Sequence, residues 1–129
     1  MFNFHKETPI YLQLIDEIKL QIASGKLAPG TKLASIRELA SVYSVNPNTV
    51  QRALLELERE NLIVTQRASG KTVTEDVKII EELRQGLAAE RLENCLSALE
   101  ALGYSREEIA ALAAEAINKR KPHEGENIK

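Results

Sequence analysis

A proline at position 47 constrains the fold of this chain more than any other residue. Asn46-Pro47 stands only eleven residues after Ser35. Ser35 and Glu38 have the spacing of a capping box, in which each side chain covers the other residue's free backbone donor and so opens a helix. Ile36, Leu39, Ala40 and Tyr43 give that helix a short apolar face. It must stop early, because the residue before a proline resists helical angles. Residues 44–46 therefore form a tight turn. Asn46 then caps a further helix, with Pro47 in its first turn, where a missing N–H costs nothing. Val50, Ala53, Leu54 and Leu57 recur along it at helical spacing. The result is a short helix, a tight turn and a second helix.

The flanks extend this motif. Thr8 is placed to cap an earlier helix with Pro9 in its first turn, and Tyr11, Leu14, Ile15, Ile18 and Ile22 form its inner stripe. Gly25 and the turn Leu27-Ala28-Pro29-Gly30 end it. After Asn61 the pattern changes to Leu62-Ile63-Val64-Thr65, the turn-like Arg67-Ala68-Ser69-Gly70, and Thr72-Val73-Thr74, which predicts a β-hairpin. Residues 76–102 read as a long helix, broken at Gly103-Tyr104. A second capping box, Ser105 with Glu108, opens a last helix with Ile109, Leu112, Ala113, Ala116 and Ile117 on one side. The fold class expected is mainly α with a small β-hairpin. A winged helix-turn-helix domain (residues 1–75) precedes a two-helix dimerisation region (76–118) and a polar, disordered tail (119–129).

Composition narrows the function classes. The chain of 129 residues is 43% hydrophobic and 28% charged, enough for a core of Leu, Ile, Val and Ala in a soluble protein. The single cysteine, Cys95, excludes an internal disulfide and a cysteine zinc cage. No segment reaches the roughly 18 apolar residues of a membrane span, and Met1 to Lys6 lack the signature of a signal peptide. A cytoplasmic location is expected. The net charge of −2 is unevenly spread: residues 1–74 carry nine basic and seven acidic side chains, residues 75–129 eight and twelve. His5 and His123 lie near the ends, and Cys95 has no local base, so no catalytic set, metal site or cofactor is expected. Pairs such as Glu81-Glu82 and Glu107-Glu108 read as solvated helix faces.

The chemistry is concentrated at the start of the third helix. With Val50, Ala53, Leu54 and Leu57 turned inward, Asn48, Thr49, Gln51 and Arg52 remain on or near the exposed side. Asn and Gln pair twice with adenine, Arg with guanine, and Thr reaches a phosphate or a thymine methyl. A helix N-terminus also attracts phosphate. The plainer alternative is that Asn46 and Thr49 merely cap a solvated helix.

The ordered set of segments resembles the GntR family of bacterial regulators, within it the small YtrA-type subfamily. The matching stretches are Pro9-Ile10-Tyr11-Leu12-Gln13, Gly25 to Gly30, Leu33 to Ala40, Val45 to Ala53, and Gly70 to Asp76. The resemblance implies that Arg37 contacts DNA, that Ser35 caps its helix within reach of a phosphate, and that Asn48, Thr49 and Gln51 approach bases and backbone. The competing role for Arg37 is a surface bridge to Glu38 or Glu56. Arg67 and Lys71 give the wing positive charge for phosphate contacts. Two departures stand out: Ala34 replaces the family's proline, and Ala68-Ser69-Gly70-Lys71-Thr72 replaces its Gly-x-Gly-aromatic wing.

About forty residues after the wing are too few to enclose a ligand pocket of the usual kind. Ile80, Leu83, Leu87, Leu92, Leu96, Leu99, Ile109 and Leu112 form a stripe that two helices cannot bury alone. The resemblance implies that this stripe joins two copies, which would read a pseudo-palindromic operator with half-sites about 34 Å apart, or a multiple of that. It further implies a repressor encoded beside transporter genes, while leaving any effector unknown. A hairpin folded back on its own N-terminal domain is the alternative for the stripe. A winged-helix interaction adaptor without DNA binding is the alternative for the chain.

Overall fold

The computed structural model describes residues 2–68 and 70–120. Five helices and a hairpin follow in the order α1 (Ile10–Ala23), α2 (Ile36–Tyr43), α3 (Pro47–Arg59), β1 (Ile63–Gln66), β2 (Gly70–Val73), α4 (Val77–Ala101) and α5 (Arg106–Lys119). Internal contacts divide the chain into two compact units, with the boundary between Gly86 and Leu87 inside α4.

In the first unit, α1 lays Leu14, Ile15, Ile18 and Ile22 against Val50, Ala53, Leu54 and Leu57 of α3 in one apolar core. Leu33, Ala40, Leu62, Ile63 and Val73 complete it. Each fully buried Leu or Ile contributes about 1.5–3 kcal/mol. The side chains predicted to face inward do so, and Tyr11 lies half-buried at the margin.

The predicted cap of α1 is corrected. Pro9 is the capping residue, and no side chain caps that end, Thr8 included. Gln13 secures the entry instead. Its Oε1 accepts from the His5 backbone N–H (3.0 Å), while its Nε2 donates to the carbonyls of His5 (2.8 Å) and Thr8 (2.7 Å). Gln13 is buried, so its amide needs these partners. Upstream, Phe2 and Phe4 meet each other edge-to-face (centroids 4.7 Å apart) and both meet Tyr43 at the end of α2 (6.1 and 6.4 Å).

The other caps form as read from the sequence. The Ser35 hydroxyl accepts from the Glu38 N–H (3.0 Å), and the Glu38 carboxylate accepts from the Ser35 N–H (2.8 Å). Ser44 takes a left-handed conformation (φ 57°) that ends α2. Asn46 Oδ1 then accepts from the Asn48 N–H at 2.8 Å to open α3. β1 and β2 pair antiparallel, Ile63 opposite Val73 and Gln66 opposite Gly70.

The hairpin has one more edge than the sequence reading gave it. Residues 30–33, read as the end of a turn and a link, run beside β2. Gly30 N–H donates to the Val73 carbonyl, Val73 N–H to that of Thr31, and Leu33 N–H to that of Lys71, each at 2.9 Å. Lys32 and Thr72 thus form an isolated bridge.

Asp76 Oδ1 caps α4 through the Lys78 N–H at 3.0 Å. The first turns of α4 pack Ile79, Ile80 and Leu83 against the core of the first unit. Ile80 and Leu83, read as dimerisation residues, therefore have partners within their own chain.

In the second unit, Gly103 takes a positive φ (97°) between α4 and α5. The Ser105–Glu108 capping box opens α5, with bonds of 2.8 and 3.1 Å. Among the described residues of α4 and α5, Ile109 alone is fully buried. Leu87, Leu96 and Leu99 are half-buried, whereas Leu92 and Leu112 are exposed. α5 continues to Lys119, one residue into the stretch expected to be a tail; residues 121–129 of that stretch lie outside those described.

Candidate nucleic-acid interface

The turn at residues 44–46 sets the N-terminus of α3 out from the core. Asn46, Pro47, Asn48, Gln51 and Arg52 are exposed, and Thr49 is half-buried. At about 100° per residue, Asn48 points almost directly away from the buried stripe. Arg52, one turn on from Asn48, lies close to it on the outward side, and Gln51 lies further round on the other side. The Gln51 side faces α2 and the wing, where Gln51, Leu55, Ile36, Glu58 and Lys71 line one small recess. The Arg52 guanidinium is drawn to the α1 side and lies over the Tyr11 ring, 3.7 Å from the centroid. Such stacks are worth about 0.5–1 kcal/mol at exposed sites.

Asn46 spends its side-chain oxygen on the helix cap, so its role here is to shape the tip. Ser35 likewise caps α2 and stays exposed. Arg37, in the first turn of α2, is exposed. Its two alternative partners are engaged elsewhere among the described residues: Glu38 with the Ser35 N–H and Glu56 with Arg59 at 3.3 Å. The Ser35 backbone N–H, followed by its hydroxyl, holds the Glu38 carboxyl below the ordinary carboxylate range. Glu38 therefore stays anionic beside Arg37 at neutral pH.

Between the N-terminus of α2 and the wing lies a cleft of about 380 Å³, lined by Lys32, Ser35, Ile36, Ala68, Gly70 and Lys71. Arg67, at the hairpin turn, is exposed. Lys71 is placed differently from the sequence reading of a free phosphate contact. Its ammonium lies 3.2 Å from the Glu58 carboxylate and 3.0 Å from the Thr65 hydroxyl. The Thr65 hydroxyl itself donates to Glu58. That hydrogen bond, aided by Lys71, lowers the Glu58 pKa despite partial burial. The trio ties the wing to the side of α3 and compensates the Lys71 charge internally.

Sequence reasoning missed three participants. Lys32 reads as an ordinary loop lysine until the strand-like bridge places it beside the wing. Tyr11 reads as a core position. Glu58 follows the polar pattern of α3, and only the hairpin register brings Thr65 and Lys71 to it.

This tip, second helix and wing occur together in known proteins. Residues 10–73 match the gntR family of bacterial regulatory proteins. The chain is also 40% identical over 107 residues to the HTH-type transcriptional regulator YhcF of Bacillus subtilis (strain 168), covering 83% of this chain and 88% of YhcF. The protein belongs to the GntR family. A second relative, the HTH-type transcriptional repressor YtrA of the same organism, is 48% identical over 71 residues, 55% of each protein. This supports the YtrA-type subfamily. Both relatives are named as transcriptional regulators, not as enzymes.

Among solved structures, a GntR family transcriptional regulator from Listeria monocytogenes matches with a TM-score of 0.80 and 41% identity, over 87% of this chain and 98% of that one. The AraR DNA-binding domain in complex with operator ORX1 matches with a TM-score of 0.51 and 26% identity, over 57% of this chain and 93% of that one. Among the described residues, no helix is long and apolar enough to cross a membrane.

Proposed function

We propose that this GntR-family chain is a sequence-specific, DNA-binding transcription regulator that acts in the cytoplasm as a homodimer and represses by occupying a pseudo-palindromic operator. The observation that carries the reading is the exposed tip of α3, with Asn48 outward and Gln51 turned toward α2 and the wing. Those side chains suit base edges in a major groove. Arg37, Lys32, Arg67 and the N-terminus of α2 surround them with backbone-binding chemistry. The operator complex of AraR supports the same use of the fold. Control of a transporter operon rests on the family resemblance alone.

The dimer is supported by the second unit. Leu92 (60% exposed), Leu112 (37%) and Ile117 (68%) leave an apolar surface on α4 and α5, a surface that favours a second copy. Leu87, Leu96 and Leu99 are half-buried on α4, and Ile109 is buried on α5.

A gel shift with the DNA upstream of its own gene tests the reading. The expected result is a band that weakens steeply as salt rises and is lost in Arg37→Ala without loss of folding. No salt-sensitive band on any duplex would leave the interaction adaptor as the reading.

A further inference from the structure

The stack of Arg52 on Tyr11 divides labour within the recognition helix. We propose that Tyr11 is a positioning residue that fixes Arg52 as a clamp for one phosphate of the operator backbone, leaving the bases of each half-site to Asn48. The inference rests on the DNA-binding reading above and specifies its chemistry.

Three observations carry it. Arg52 follows Asn48 by one turn on the outward face of α3, but its guanidinium is drawn to the α1 side, over the Tyr11 ring. A helix seated in a major groove turns its outward ridge to the base edges, and a side chain drawn off that ridge ends beside a phosphate wall. Next, the Arg52 Cζ sits over the Tyr11 ring, 3.7 Å from its centroid. The ring engages the cation through its π face and takes up none of its N–H donors, which suit a tetrahedral oxyanion. Finally, Tyr11 is half-buried in the first turn of α1, beside the core that joins α1 to α3. The ring is anchored, so Arg52 is held in place before DNA arrives, with less side-chain freedom to lose on binding.

The base-reading side chain on the ridge is then an amide, whose two-point partner is adenine. Each half-site should carry adenine where Asn48 meets it. Arg52 should add affinity without adding a preference for guanine.

The test uses the full chain and a library of random-sequence duplexes, followed by salt titrations on the selected site. Wild type, Arg52→Ala, Arg52→Lys, Tyr11→Phe and Tyr11→Leu are compared. Tyr11→Phe keeps the ring and should match wild type. Arg52→Ala should weaken every sequence by the same factor and select the same bases. It should also flatten the slope of log K against log salt by about 0.9 per bound subunit. Tyr11→Leu should lose affinity with the selected bases unchanged, and Arg52→Lys should keep the slope. Loss of a guanine preference at one position in Arg52→Ala, or an unchanged slope, would overturn the clamp while DNA binding stands. Wild type that selects no duplex would remove the DNA-binding reading itself, and the clamp with it.

Discussion

Replacing Glu58 with glutamine removes one charge from a three-membered contact while keeping an oxygen that can accept from Thr65. In the wild type, Glu58 takes the Thr65 hydroxyl and lies 3.2 Å from Lys71, with side chains 25% and 28% exposed. Exposed ion pairs contribute about 0.2–1 kcal/mol, and hydrogen bonds to charged groups about 1.5–3 kcal/mol. Glutamine keeps a weaker, neutral form of the second, so the expected loss is about 1 kcal/mol. For an m-value of about 2 kcal/mol/M, the urea midpoint falls by about 0.5 M. The same change frees the Lys71 ammonium beside the cleft. Operator binding should then depend more steeply on salt, by about 0.9 in log–log slope for each subunit. Fluorescence or circular dichroism follows the first effect, and fluorescence anisotropy with labelled duplex at several salt concentrations follows the second. An unchanged midpoint together with an unchanged slope would refute the coupling of wing and helix through this trio.

Three further outcomes are expected. Gln13→Ala removes three hydrogen bonds to the segment before α1; it should cost about 1–3 kcal/mol and speed proteolysis within residues 2–8, read by mass spectrometry. Acid should destabilise the first unit through Glu58, whose folded pKa lies below its ordinary 4.5. That stabilisation is present above about pH 4.5 and is lost as pH falls through the folded value, so the gap between wild type and Glu58→Gln in urea should close with acidification. Leu92→Glu combined with Leu112→Glu places charges on the exposed apolar surface of α4 and α5; sedimentation should change from dimer to monomer, with the thermal melt of the first unit retained.

The helical frame was readable because its signals are local. Ser35 with Glu38, Asn46 with Pro47, and Ser105 with Glu108 each fix a helix start through partners two or three residues away. Inner positions followed from period alone, since Val50, Ala53, Leu54 and Leu57 can share only one face. What escaped depends on distant partners. Gln13 reads as a polar helix residue until the preceding segment folds back to His5 and Thr8. Lys71 reads as a free cation until the hairpin register sets it against Glu58, and no local signal pairs Arg52 with the Tyr11 ring of α1. Ile80 and Leu83 read as one stripe with Leu87 and Leu92, yet those first two pack on the core of their own unit. Period distinguishes faces of a helix, not which neighbour each turn will find.

The strip formed by residues 30–33 is hydrogen-bonded to the base of the hairpin and leads directly into the Ser35 cap. Arg37, in the first turn of α2, is thereby indexed to Lys71 and Val73 by backbone alone. A substitution on the hairpin that leaves this ladder intact therefore leaves the start of the second helix where it is.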